Sequence, residues 1–149
     1  VPIGASLRAV ANDTQGNWVA VGDGGAVLSA DDPSGVWNVS GNISESLSGL
    51  AFGQGRFVAV GQGPHMGWGQ PPVLYVSEDG GQSWSPGSLP NEFGALSPPR
   101  PLGDVATDGQ GRWSALGNGG DHLLSTDNGD SWQVIRLDYY GAYGIAYRP

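Results

Sequence analysis

Three kinds of side chain in this sequence could do chemistry: carboxylates in two acidic turns, a pair of histidines, and six arginines. The turns read Ser77-Glu78-Asp79-Gly80-Gly81-Gln82-Ser83-Trp84 and Ser125-Thr126-Asp127-Asn128-Gly129-Asp130-Ser131-Trp132. Asp79 and Asp127 could in principle serve as the two carboxylates of a glycosidase, one as acid and one as base or nucleophile. The run Asp127-Asn128-Gly129-Asp130 carries oxygen ligands suited to Ca²⁺, yet it lacks the spacing and the closing Glu of an EF-hand loop. His65 and His122 lie 57 residues apart, with no Cys and no helical His pairing, so neither a zinc site nor an activated nucleophile is expected. Gly22-Asp23-Gly24-Gly25 and Gly117-Asn118-Gly119-Gly120 are glycine-rich but precede no helix, which excludes a phosphate loop. The expectation is no catalytic residue, no metal and no cofactor.

The two acidic turns have a simpler explanation. Both read Ser-x-Asp-x-Gly-x-x-Trp, and they start 48 residues apart. A fixed period of that size marks repeated supersecondary units, each too small to bury a core alone. Within the motif, Asp can accept hydrogen bonds from turn N–H groups and Gly can take positive φ. The Trp then offers a large apolar surface for packing. The motif resembles the Asp-box, or bacterial neuraminidase repeat, found in sialidases, photosystem assembly factors of the β-propeller type, and secreted or phage-tail propellers. The resemblance implies a folding role for Ser77, Asp79, Gly81, Trp84, Ser125, Asp127, Gly129 and Trp132, remote from any active site. It also raises sialidase chemistry, which in that family uses three arginines, a Tyr nucleophile assisted by Glu, an Asp acid/base and an Arg-Ile-Pro motif. No Arg-Ile-Pro occurs here, and Arg56 and Arg112 sit at the same phase of successive repeats, which reads as surface repetition.

The elements that position these turns follow from aligning them. An apolar opening strand recurs as Leu7–Ala11, Ser48–Phe52, Gly103–Ala106 and Gly144–Tyr147. A Gly-containing hairpin turn follows the first three. The second strand reads Trp18-Val19-Ala20-Val21-Gly22, Phe57-Val58-Ala59-Val60-Gly61 and Trp113-Ser114-Ala115-Leu116-Gly117. Trp18, Phe57 and Trp113 are expected in the core. A third strand ends at Ser29, Ser77 or Ser125, and a fourth is opened by Trp37, Trp84 or Trp132. The first unit reads as a degenerate box built on Ser29, Asp31 and Trp37, with Pro33 and an extra residue disturbing its turn. Four short antiparallel strands per period make a propeller blade. The predicted fold is all-β, with blades at residues 6–47, 48–101 and 102–141 and an extra strand at 142–149. Three blades cannot close a ring of the usual four to eight. The chain is therefore expected to be a piece of a longer propeller or to associate with copies of itself through its open blade edges.

Composition narrows the partners. The 149 residues carry 14 acidic and six basic side chains, net charge −8, and every basic residue is Arg. That balance argues against nucleic acid, whose binding relies on neutralising phosphates. No run reaches the roughly 18 apolar residues of a membrane helix. Two Pro-rich insertions, at residues 63–72 and 90–101, are candidate recognition loops on a rigid scaffold. His65 and Trp68 in the first, Phe93 in the second, and Tyr139, Tyr140 and Tyr143 near the end are the candidate ligand or partner contacts, because aromatics stack on sugars and anchor protein interfaces. The leading expectation is a non-enzymatic structural or assembly propeller, extracellular or on a virion surface. A glycan-binding or host-attachment propeller is the alternative, and part of a sialidase-like glycosidase a third.

Overall fold

A computed structural model describes residues 4–65, 67, 69–94, 100–117, 120–136 and 144–146. It contains three four-stranded antiparallel sheets, each a simple meander. The first runs β1 (Leu7–Asn12), β2 (Trp18–Gly22), β3 (Val27–Ala30), β4 (Asn38–Val39). The second runs β5 (Ser46–Gly53), β6 (Arg56–Gln62), β7 (Pro72–Ser77), β8 (Ser85–Pro86). The third runs β9 (Leu102–Thr107), β10 (Trp113–Gly117), β11 (Asp121–Ser125), β12 (Gln133–Arg136). These are β-propeller blades, and the all-β reading of the sequence holds. A single helical turn, α1 (Asn91–Gly94), lies between the second and third blades.

The inner strands β1, β5 and β9 lie side by side, and the blades pack face to face. The middle blade is covered on both faces, so Phe57, Val58, Ala59 and Val60 are all fully buried. A strand covered on both faces needs a continuous apolar run, not an alternating one. Phe57 and Ala59 point into the junction with blade one, beside Val19, Val21, Val27, Leu47 and Trp84. Val58 and Val60 point into the junction with blade three, beside Trp113, Ala115, Leu123 and Trp132.

The glycine at or near the end of each second strand (Gly22, Gly61, Gly117) has a structural cause. The ladder between inner and second strands shifts register there in all three blades, between Leu7 and Ala9, Leu47 and Gly49, and Leu116 and Gly117. A bulge of this kind brings the inner strand close. A Cβ on Gly22 would collide with the Ser6 carbonyl, and one on Gly61 with the Ser46 carbonyl.

Trp18 departs from the expectation. Phe57 and Trp113 are buried, but Trp18 is only half-buried. Trp18 and Ala20 lie on the face of blade one turned away from blade two, with no blade beyond it among the described residues. The same face exposes Leu7 and Val10, at 51% and 56%.

Candidate functional site

The acidic turns after β7 and β11 are built alike. Ser77 and Ser125 are each 1% exposed, directly opposite Phe57 and Trp113 in the ladder. Each hydroxyl accepts from the N–H of the box glycine, Gly81 or Gly129, at 2.9 Å. Each hydroxyl also donates to the box carboxylate, Ser77 to Asp79 at 2.8 Å and Ser125 to Asp127 at 2.7 Å. The carboxylates close the loop from the other side. Asp79 accepts from the Gln82 and Ser83 N–H groups and the Ser83 hydroxyl. Asp127 accepts from the N–H and hydroxyl of Ser131. Gly81 and Gly129 hold φ of +87° and +84°, a region L side chains rarely adopt. Their carbonyls accept from the indoles of Trp84 and Trp132, which are 5% and 6% exposed.

This circuit sets the electrostatics. The Ser131 hydroxyl and N–H and the Ser125 hydroxyl bring the Asp127 pKa down to about 2. Burial would raise Asp79, but the hydrogen bonds from Ser83, Ser77 and Gln82 outweigh it and leave it below the ordinary carboxylate value. Both are poised to stay ionised, the reverse of a general acid.

The turn after β3 is different, and not as the sequence suggests. In the ladder Ala30, not Ser29, stands opposite Trp18, where Ser77 and Ser125 stand opposite Phe57 and Trp113. The degenerate box is therefore Ala30-Asp31-Asp32-Pro33-Ser34-Gly35-Val36-Trp37, with no extra residue. Asp32, not Asp31, caps the turn, taking the N–H and hydroxyl of Ser34 at 2.8 Å each. Ala30 has no hydroxyl to link glycine and Asp, and Ser34 fills the glycine position. The Trp37 indole bonds the Pro33 carbonyl at 3.2 Å, one residue away from the pattern of the other boxes, and Trp37 stays half-buried.

The candidate contact residues do not form one site. His65 is exposed on the first insertion. Trp68, Tyr139, Tyr140 and Tyr143 lie outside the described residues. Phe93 is not a surface contact: it is 1% exposed, packed in the core between blades two and three. The single turn of α1 carries it there, so the second insertion uses its aromatic as an anchor.

Sequence reasoning missed several partnerships. Arg56 reaches between blades: it donates to the Asn128 carbonyl at 2.9 Å and to Asp130 at 2.8 Å on the box of blade three, and to Glu78 at 2.7 Å on the box of its own blade. Its repeat phase with Arg112 was visible, but not its target. The Tyr75 hydroxyl donates to Glu45 at 2.9 Å. Burial, then the bond and charge of Glu45, push the Tyr75 phenol up, which opposes nucleophilic use. Arg8 pairs with Asp23, and Arg100 lies 3.7 Å from Asp121, so the described arginines do not converge on a substrate carboxylate. Ser114 and His122 hydrogen-bond across β10 and β11, and burial lowers the His122 pKa. Among the described residues no group of three or more His, Asp or Glu could hold a metal ion.

Four-stranded antiparallel sheets whose third and fourth strands are joined by such turns are β-propeller blades of the Asp-box type. Residues 75–86 match the BNR/Asp-box repeat family. The chain superposes on YCF48 bound to D1 peptide with a TM-score of 0.73 at 20% identity, covering 95% of this chain and 43% of that one. It superposes on YCF48 from Cyanidioschyzon merolae with a TM-score of 0.70 at 20% identity, covering 90% of this chain and 38% of that one. The chain thus spans about two-fifths of the length of these structures. No curated protein sequence matches it.

Proposed function

We propose that this chain is a non-enzymatic blade module of a protein-binding propeller, working through its open blade faces and not through a catalytic centre. The observation that carries this reading is the outer face of blade one. Leu7, Val10, Ala20, Leu28 and Trp37 line a hollow of about 570 Å³ there, on the face that blades two and three each cover with a neighbour. Contiguous apolar surface of this kind marks an interaction site. The chemistry-bearing groups support the same reading, because the box carboxylates are tied into their turns. A propeller of similar blade structure, YCF48, has been captured with a D1 peptide, and a protein partner for this chain is the natural extension.

The test is light scattering across micromolar to submillimolar concentration, on the native chain and on Val10→Asp. Concentration-dependent association that Val10→Asp abolishes, with unchanged circular dichroism, supports the reading. A monodisperse monomer throughout, or association indifferent to Val10→Asp, overturns it.

A further inference from the structure

Arg56 shows how one blade recognises the next, and Arg112 repeats it. Arg56 opens β6 and Arg112 immediately precedes β10, each directly before the aromatic of its second strand. Arg56 is 15% exposed, clamped between Glu78 of its own blade and Asp130 of the next. Arg112 is exposed; its backbone N–H donates to Asp108 at 3.0 Å, but its guanidinium has no carboxylate partner among the described residues. Blade three has Thr126 where blade two has Glu78, so Arg112 gains no partner from its own box.

The face beside Arg112 is shaped like the two junctions already formed. In each junction the box glycine of the following blade sits on a side chain of the preceding second strand: Gly81 against Val19, and Gly129 against Val58. Ser114 holds that position in blade three. With Leu124, Trp113 and Arg112 it lines a hollow of about 210 Å³, where a following box would lie. Residues 144–146 mark the inner edge of the same face. The Ile145 N–H donates to Asp104 at 3.0 Å, and Asp104 in turn is the residue a Cβ on Gly49 would meet. In repeat phase Ile145 is to Asp104 what Asp104 is to Gly49. Residues 144–146 themselves carry no strand pairing.

We infer that the outer face of blade three is a receptor for a further Asp-box blade, specifically one with an acidic side chain two residues before its box Trp, which Arg112 clamps as Arg56 clamps Asp130. The first blade of a second copy is a poor occupant, because Gly35 stands at that position. This rests on the reading of the chain as a blade-stacking module, and it adds which chemistry the incoming blade must carry.

The test keeps the chain through Ala146 and continues it with a repeat of residues 106–136, so that 144–146 run on in phase as the inner strand and the appended box supplies the Asp130 and Trp132 of the copy. Limited proteolysis and thermal melting are read on this protein, on Arg112→Glu, and on Arg112→Glu combined with Asp130→Arg in the appended copy. Docking protects the appended blade. Arg112→Glu then lowers Tm by about 2–4 °C, the shift of roughly one lost ion-pair contact in a chain of this size, and the charge swap restores it. Arg112→Glu in the unextended chain leaves Tm unchanged. An appended blade that docks but ignores Arg112, or that the swap does not restore, overturns the clamp and leaves blade stacking standing. An appended blade that stays protease-labile overturns the receptor face, while association of the native chain separately decides the functional reading.

Discussion

The turns after β3 and β11 have the same length from first residue to Trp, yet only one is closed. In blade three the Ser125 hydroxyl joins the Gly129 N–H to Asp127, and Trp132 seals the turn. In blade one Ala30 replaces that hydroxyl, Ser34 replaces the glycine, and Trp37 is left half-buried. The difference teaches that the box is a cooperative circuit and not a list of residues. Asp and Trp both survive in blade one without reproducing it. The closed boxes also face a preceding blade: Gly81 lies on Val19 and Gly129 near Val58. The open box lies on the blade with no described neighbour before it.

The widest separation between the two turns should come from their tryptophans. Trp132→Ala removes a buried indole and should cost about 3–5 kcal/mol in urea unfolding. Trp37→Ala should cost less than half as much. Equal losses would erase the comparison. Ser125→Ala comes next, at about 1–3 kcal/mol, because it strands the buried Gly129 N–H. The reverse change Ala30→Ser should give no comparable gain alone, since Ser34 still occupies the glycine position. Combining Ala30→Ser with Ser34→Gly should shield Trp37, seen as a blue shift in its fluorescence.

A smaller effect concerns acid. The Asp127 pKa is about 2 in the folded chain against 3.8 for the free group. Its contribution is present in full above 3.8 and is lost as pH falls from there through about 2. Asp127→Asn should flatten the stability profile in that window relative to the native chain. His122 acts at milder pH with the same sign of slope. Burial lowers its folded pKa below 6.5, so the unfolded chain binds the proton more readily and stability declines as pH falls below 6.5. His122→Gln should remove that decline.

Much of this was legible in the sequence because turn chemistry is local. The Ser, Asp, Gly and Trp of the two closed boxes announce their strand ends, and the aromatic-to-glycine runs announce the second strands. The first box was misplaced by one residue because Ser29 happens to lie 48 residues before Ser77, whereas the ladder puts Ala30 there. Cross-strand register is set by packing, and no local pattern reported it. Phe93 looked like a loop aromatic because burial of an insertion depends on which crevice lies beneath it. Arg56 was read as a surface repeat because its acceptors, Glu78 and Asp130, lie 22 and 74 residues away in sequence.

The central claim is that the box carboxylates hold turns and do not handle protons for a reaction. Site-resolved carbon NMR titration of the Asp side chains tests it directly. The account predicts Asp127 near 2, Asp79 below the ordinary carboxylate value, and both ionised throughout the neutral range. Either one titrating near neutrality, as a working acid or base would, contradicts it.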